Sequence, residues 1–345
     1  MELSLFDYDL PPELIAQEPA DPRDAARLLV VDRADGAWQD RRFDELPTLL
    51  RPGDCLVANR SKVIPARLLG AREPDGLPVE LLMLRPVSAT RWRALVRPGR
   101  RCRLGAHVLV GAGAARVTVV GQGEAGERIL DVDAPWPVTE LLDRHGLPPL
   151  PPYITRYDAP KHDDRERYQT VYAREEGSVA APTAGLHFTP ALIERLRSAD
   201  VEFHHLTLHV GPATFRPLKA ARIEDHRMDA EDVDIPDETA AAVERAHAEK
   251  RRVIAVGTTT TRALEWAAEE DGRVRAGRGA ADLYIRPGHS FEAIDGLITN
   301  FHLPRSTLLV LVAAFCGRER LLAAYRHAVA ARYRFYSFGD AMLLT

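Results

Sequence analysis

Cysteine is scarce in this sequence. The chain of 345 residues has only Cys55, Cys102 and Cys316, which lie far apart and fit no zinc-ligand spacing. Nothing in this pattern suggests disulfide bonds, so we expect a protein of the reducing cytoplasm. We expect no metal in its site.

Long apolar runs and an excess of positive charge are also missing. The longest apolar run, residues 308–316, is far shorter than the roughly 20 residues of a membrane-spanning helix. The acidic residues Glu2, Asp7 and Asp9 leave no apolar signal region at the start. The formal net charge of −4 argues against a nucleic-acid coat and confines any nucleic-acid contact to a local surface. We expect a cytoplasmic monomer without a membrane partner.

Several familiar catalytic motifs are absent from the sequence. Among them are the Gly-x-Ser-x-Gly nucleophile elbow, the P-loop motif with its lysine, and the motifs of protein kinases. The stretch Gly121-Gln-Gly-Glu-Ala-Gly126 does match the G-x-G-x-x-G pattern of dinucleotide-binding proteins. However, the residues that follow it, Arg128-Ile-Leu-Asp-Val, predict a strand, and a pyrophosphate site needs a helix N-terminus there. We therefore interpret this stretch as a hairpin loop.

The character of the chain changes between residues 66 and 134. Short runs rich in Val, Leu and Ile alternate there with Gly/Pro turns, and no long helix fits. This spacing is typical of a small antiparallel barrel or sandwich. We predict an α/β fold in which a main α/β domain, residues 1–65 and 151–345, carries an inserted small antiparallel β-barrel domain, residues 66–150.

A polar loop at residues 181–189 precedes a predicted helix. Thr189 can cap this helix and Pro190 suits its first position, so the loop would bring Thr183, Gly185 and His187 to a helix N-terminus that favours anions. The alternative is an ordinary turn with a buried histidine.

Two further loops have the same character. One follows the predicted strand 252–257 with Thr258 and Thr259, and the other follows a second strand with Asn300, His302 and Arg305. Open α/β sheets bind ligands at the carboxyl ends of their strands, so three such loops predict a site for a polar organic substrate with a carboxylate or phosphate. Histidines titrate near neutrality and can move protons, which makes candidates of three residues: His187, His226 and His302.

Six arginines cluster within the predicted barrel, at Arg91, Arg93, Arg97, Arg100, Arg101 and Arg103. Trp92 lies among them, and arginine with an aromatic ring suits phosphate contacts and base stacking. The cluster therefore predicts an RNA-binding surface, with a solvated barrel face as the alternative.

Two other functional classes compete with this interpretation. His205 and His209 fall on one face of a predicted strand and could serve a metal-dependent hydrolase, although no third same-face ligand follows them. A non-catalytic RNA-binding module is the other class, but it leaves the three polar loops unexplained.

Motifs along the whole chain resemble the S-adenosylmethionine:tRNA ribosyltransferase-isomerase family of the queuosine pathway. These motifs are Phe6-Asp-Tyr-Asp-Leu-Pro, Asn59-Arg-Ser-Lys-Val-Ile-Pro-Ala-Arg, Glu166-Arg-Tyr-Gln-Thr-Val-Tyr, Ala181-Pro-Thr-Ala-Gly-Leu-His-Phe-Thr, Val256-Gly-Thr-Thr, Thr299-Asn-Phe-His-Leu-Pro-Arg-Ser-Thr-Leu-Leu and Tyr333-Arg-Phe-Tyr-Ser-Phe-Gly-Asp-Ala-Met. The resemblance implies an α/β main domain with an inserted β-barrel.

It also implies a reaction. The ribosyl moiety of S-adenosylmethionine is transferred to 7-aminomethyl-7-deazaguanine at the wobble position of tRNA, epoxyqueuosine forms, and adenine and methionine leave. S-adenosylmethionine is consumed as ribosyl donor, so no cofactor is expected. A base must remove a C5′ hydrogen and an acid must protonate adenine. We expect proton transfer from His187, His302 or His226, and substrate binding by Thr183, Gly185, Thr258, Thr259, Asn300 and Arg305.

Three positions depart from the family pattern. Asp229 stands where the family usually has a histidine, which puts a histidine pair with His226 in doubt. Pro212 stiffens a turn that usually reads Gly-Ala-Gly-Thr-Phe, and Thr261 replaces a residue that is commonly apolar.

Overall fold

Among the residues that the structure describes, a sheet of nine strands forms the centre of the main domain, in the order β15-β13-β12-β3-β14-β16-β17-β1-β2. The computed structural model describes residues 1–155, 161, 163–211, 218 and 220–345. The strands are β1 (Arg27–Val31), β2 (Trp38–Arg42), β3 (Cys55–Asn59), β12 (Glu202–Leu208), β13 (Glu231–Ile235), β14 (Val253–Val256), β15 (Gly277–Ala281), β16 (Gly296–Asn300) and β17 (Ala341–Leu344).

The middle of this sheet is parallel. β12, β3, β14 and β16 are neighbours that run in one direction, and antiparallel strands flank them. Every residue of β3, β14 and β16 is buried, as expected for strands that are covered on both faces. Their carboxyl ends therefore meet at one edge, which begins at Asn59, Val256 and Asn300.

Helices cover both faces of the sheet. The leucines and isoleucine of α4 pack on one face together with Phe43 and Leu56. α5, α6, α7 and α8 bury Val243, Leu264, Val310 and Tyr325 in the core of the other face. The helices are α1 (Leu46–Leu49), α2 (Val138–His145), α3 (Asp164–Arg167), α4 (Pro190–Ser198), α5 (Asp237–Ala248), α6 (Thr258–Ala267), α7 (Thr307–Cys316) and α8 (Arg318–Ala330).

Between β4 (Ser61–Val63) and β11 (Glu175–Ser178) along the chain, the described residues form a closed barrel of six antiparallel strands, which confirms the predicted α/β fold with an inserted barrel. Leu68, Leu81, Val108 and Leu130 fill its interior, and α2 packs against that core. The strands are β5 (Arg67–Arg72), β6 (Pro78–Pro86), β7 (Arg91–Arg97), β8 (His107–Val110), β9 (Ala115–Gln122) and β10 (Arg128–Asp133).

The stretch between Gly121 and Gly126 connects β9 to β10, and these two strands pair antiparallel. The G-x-G-x-x-G pattern is therefore part of a hairpin connection, as predicted, and it precedes no helix.

The approach to the 181–189 loop differs from the expectation. Its strand β11 (Glu175–Ser178) pairs with β4 (Ser61–Val63) in a separate two-stranded sheet and does not join the central sheet. Only two of the three polar loops therefore follow strands of the main sheet, and the first reaches the same edge from the side. No helix in the described part of the chain has the length and apolarity to cross a membrane.

Candidate active site

A cavity opens at the carboxyl ends of β14 and β16. The loops after both strands line it, together with residues 181–184 and two segments that carry tyrosines. Five residues predicted from the sequence meet there: Thr183, Thr258, Thr259, Asn300 and His302. Two loops that are distant in sequence are thus brought to one site by parallel strand pairing.

The N-terminus of α6 faces this cavity. Gly257 precedes the helix with φ +94°, and no side chain of the described residues caps it. The hydroxyls of Thr260 and Thr261 bond back to the carbonyls of Val256 and Gly257, at 2.8 and 3.2 Å, so only Thr258 and Thr259 are turned to the cavity. The first backbone N–H groups of a helix have no intrahelical partner and attract anions. The helix start therefore suits a carboxylate.

Asn300 holds a polar atom ready for a ligand. Its Nδ2 donates to the Tyr336 carbonyl at 3.0 Å and to Nε2 of His187 at 3.2 Å. Its Oδ1 is buried and accepts no hydrogen bond from the described residues. A buried acceptor without a partner is costly in a folded protein, and a ligand donor would relieve that cost.

His302 lines the cavity, and its backbone is clamped on both sides. Its carbonyl accepts from the Tyr8 hydroxyl at 2.5 Å, and its N–H donates to the Tyr325 oxygen at 2.9 Å. Its Nε2 lies 2.7 Å from the Thr299 hydroxyl. Burial lowers the pKa of His302 to about 3, so the imidazole is neutral near pH 7.

His187 lies behind the cavity lining. The side chain is only 4% exposed, its ring packs on Phe43 at 4.9 Å, and it reaches the site through Asn300. Burial, with smaller effects of Arg334 and Arg23, lowers the pKa of His187 to about 3. The expectation that His187 and His302 titrate near neutrality is therefore wrong, because desolvation disfavours the imidazolium.

Two tyrosines in the lining were missed by the sequence reasoning. Tyr336 stacks on Tyr153, with ring centroids 4.6 Å apart, and its buried hydroxyl has no partner within the described chain. Its φ is +72°, a conformation that is rare for a bulky residue. Neither composition nor hydrophobic periodicity predicts a positive φ at this position. In the sequence, only the family-like motif that begins at Tyr333 pointed to Tyr336.

Besides His187, three other predicted residues lie outside this lining. A Cβ on Gly185 would approach the Tyr172 hydroxyl to 2.2 Å, so this glycine serves close packing. Arg305 is exposed and pairs with Asp7 at the surface. His226 is half-buried with its ring 5.3 Å from that of Tyr284, and burial lowers its pKa against the opposing effect of Asp229.

The helix start at α4 also differs from the expectation. Thr189 caps it, accepting from the Leu192 N–H at 3.1 Å as predicted, but the same hydroxyl donates to the Asp24 carboxylate at 2.8 Å. The Asp24 carboxylate therefore already lies next to the N-terminus of α4. The helix start that the cavity exposes is therefore the one at α6.

The arginine cluster lies on the outside of the barrel. Arg91, Arg93 and Arg97 alternate with buried residues along β7, and Arg100, Arg101 and Arg103 are exposed in the loop that follows. Arg91 faces Asp131 at 3.7 Å, and Arg93 pairs with Glu127 at 3.1 Å. Trp92 is only 6% exposed within the barrel core, so the expectation that its ring stacks on bases is wrong.

His205 and His209 do not form a ligand cluster in the described part of the chain. The ring of His205 packs against Tyr172 and Phe203, whereas that of His209 lies against Gly177. Cys55, Glu202 and His204 do bring their ligand atoms within 4.8 Å of one another, but Glu202 already pairs with His204 and Arg251. The hydrolase alternative gains no support from this geometry.

The three positions that depart from the family pattern lie in different surroundings. Thr261 is buried within α6, Asp229 is exposed, and Pro212 lies outside the described residues.

Comparisons with known proteins give a consistent result. The family model described as "Queuosine biosynthesis protein" matches residues 3–344. A S-adenosylmethionine:tRNA ribosyltransferase-isomerase of Symbiobacterium thermophilum is 52% identical, and one of Moorella thermoacetica is 53% identical, each over the full length of both chains. The crystal structure of a S-adenosylmethionine tRNA ribosyltransferase from Thermotoga maritima is similar, with a TM-score of 0.56 and 38% identity, covering 99% of this chain and 100% of the other.

Buried neutral histidines make the fold sensitive to acid. In the unfolded chain His302 binds a proton below the ordinary histidine pKa of 6.5, whereas in the folded protein it stays neutral down to about pH 3. The free energy of unfolding therefore falls as the pH drops from 6.5 to 3. His302→Gln removes this linkage. Between pH 7 and pH 5 the variant should lose about 2 kcal/mol less unfolding free energy than the wild type. Urea titrations at both pH values measure the difference, and equal losses in the two proteins would show that His302 is not held neutral.

Proposed function

We infer that this chain, which belongs to the queuosine biosynthesis protein family, transfers and isomerises the ribosyl moiety of S-adenosylmethionine onto 7-aminomethyl-7-deazaguanine at the wobble position of tRNA. The product is epoxyqueuosine-tRNA, and adenine and methionine are released. The reaction proceeds in the cytoplasm on a monomeric enzyme. S-adenosylmethionine is consumed as a substrate, and the reaction needs no further cofactor.

The observation that carries this proposal is the match between the cavity and the donor. S-adenosylmethionine combines a carboxylate, a flat adenine and a ribose with hydroxyls. The uncapped start of α6 suits the carboxylate, and the ring of Tyr336 offers a flat wall to adenine. The buried Oδ1 of Asn300 and the hydroxyl of Tyr336 are open for hydrogen bonds to the ligand.

The chemistry needs proton transfers inside this cavity. The sulfonium acidifies the C5′ hydrogens of the donor, so a base must remove one, and adenine must gain a proton to depart. His302 is a neutral imidazole in the lining and is our first candidate for the base, while His187 acts on the site through Asn300. A positioned proton-transfer group typically contributes about 10²–10⁴-fold in rate.

The tRNA must approach the cavity from outside. The modified base has to leave the anticodon stack, at a cost of a few kcal/mol. We propose that the six arginines on the outer side of the barrel offset part of that cost by contacting the RNA backbone, even though the net charge of the chain is negative.

The first test is direct. The wild-type protein, given S-adenosylmethionine and a tRNA that carries 7-aminomethyl-7-deazaguanine, should release adenine and methionine in equal amounts, measured by liquid chromatography with mass detection. The same tRNA with guanine at the wobble position is the control and should give no adenine. Adenine release that ignores the modified base would contradict the proposal.

Two tyrosine variants locate the donor in that assay. Tyr336→Phe removes a hydroxyl that has no partner among the described residues, so the free energy of unfolding should not fall, whereas the KM for S-adenosylmethionine should rise about tenfold. Tyr172→Phe is the matched control, because its buried hydroxyl also lacks a partner within the described chain but does not line the cavity. Equal KM changes in both variants would remove Tyr336 from the donor site.

The arginine surface makes a separate prediction about tRNA affinity. Replacing Arg97, Arg100 and Arg103 together by glutamine should flatten the dependence of log Kd on log salt concentration by about 2 to 3, since each phosphate contact contributes about 0.7–0.9 to that slope. Filter binding at several salt concentrations measures it. The control replaces Arg195, Arg197 and Arg273 of the main domain by glutamine. An identical slope in both triple variants would show that the barrel arginines do not contact the RNA and only face solvent.

A further inference from the structure

A second cavity lies between the barrel and the main domain. The barrel contributes Arg85, Arg93, Glu124 and Glu127 to its lining. Val210 lines both this cavity and the one at the ends of β14 and β16, so the two cavities adjoin at that residue. A group bound in the second cavity is therefore next to the donor cavity of the proposed reaction.

The main-domain wall of this second cavity is acidic. Asp229, Glu231 and Asp232 line it, and the Glu231 carboxylate already pairs with buried Arg262 at 2.7 Å. The same Arg262 donates to the Asp229 carbonyl at 2.6 Å, which fixes the backbone of this wall. The side chains of Asp229 and Asp232 are exposed, so their carboxylates are accessible to a ligand. This wall suits a cation.

The barrel wall has a different charge pattern. Arg93 pairs with Glu127 at 3.1 Å, while Arg85 is an exposed cation on the same rim. The arginines of the cavity thus lie on the barrel side, together with Glu124 and Glu127, whereas Asp229, Glu231 and Asp232 lie on the other side. A nucleotide with a phosphate at one end and an ammonium on its base has the complementary arrangement.

His209 adds a polar group between these walls. Its Nδ1 is shielded from solvent and has no partner within the described residues, and a Cβ on Gly177 would lie 2.8 Å from its ring, so glycine is needed there. Burial lowers the pKa of His209, against the opposing effects of Asp232, Glu175 and Asp234. A neutral imidazole adds no positive charge that would repel an ammonium.

We propose that this second cavity binds the wobble nucleotide, with its phosphate toward Arg85 and the ammonium of its aminomethyl group toward Asp229 and Asp232. The assignment rests on the proposed function, because it takes the modified tRNA as the second substrate. It makes the two carboxylates the residues of this chain that distinguish the aminomethyl base from guanine, in a cavity that shares Val210 with the donor cavity.

Binding of two short RNAs without S-adenosylmethionine tests the assignment. The probes are anticodon stem-loops that differ only at the wobble position, with 7-aminomethyl-7-deazaguanine or guanine. The wild type should prefer the amine-bearing RNA about tenfold, as for one favourable ion pair in a partly desolvated site. Asp229→Asn with Asp232→Asn should reduce this preference to less than twofold without weakening the guanine RNA, and Arg85→Gln should weaken both RNAs equally.

The matched control is Glu238→Gln on α5, an exposed carboxylate outside the cavity, which should keep the full preference. A double aspartate variant that still prefers the amine-bearing RNA tenfold would overturn the assignment. The outcome is independent of turnover. If the wild type releases no adenine but the preference depends on the two aspartates, the proposed reaction is wrong and the cavity assignment stands. If adenine is released but the preference does not depend on the two aspartates, the proposed reaction stands and the cavity assignment is wrong.

Discussion

Parallel pairing between β14 and β16 is the constraint on which the site depends. Because Ile254, Ala255 and Val256 pair in register with Gly296, Leu297 and Ile298, both strands end at the same edge. The start of α6 and the loop with Asn300 and His302 are adjacent for that reason alone. The strands are fully buried, so a slip in register would move apolar side chains into the wrong layer, and the edge is held firmly.

The cavity lining holds buried polar groups that suit hydrogen bonds to a ligand. The Asn300 Oδ1 and the Tyr336 hydroxyl are buried without partners in the described structure, and each such group costs about 1–3 kcal/mol. Tyr336 also holds a positive φ. Such features persist where the surrounding structure enforces them, and they concentrate at binding sites. Desolvation in the same place lowers the pKa of His187 and of His302 to about 3, so both imidazoles are neutral near pH 7.

Sequence patterns predicted the inserted barrel, the hairpin at Gly121–Gly126 and the loops at Thr258 and Asn300, because strand period, turn residues and helix starts are local signals. They failed where the outcome depends on tertiary packing. Trp92 sits in the barrel core because β7 alternates between its two faces, and burial shifted the histidine pKa values. Tyr336 reaches the cavity through a backbone conformation, and β11 joins β4 by a long-range pairing that no local pattern encodes.

The central claim is that one cavity at this sheet edge binds the sulfonium nucleoside. Hydrogen exchange of the backbone amides, measured with and without S-adenosylmethionine and in the absence of tRNA, tests it most directly. The donor should slow exchange in residues 181–184, 257–259, 299–303 and 336–337 and leave the barrel strands β5–β10 unchanged. Protection confined to the barrel, or spread over segments that do not line the cavity, would contradict the account.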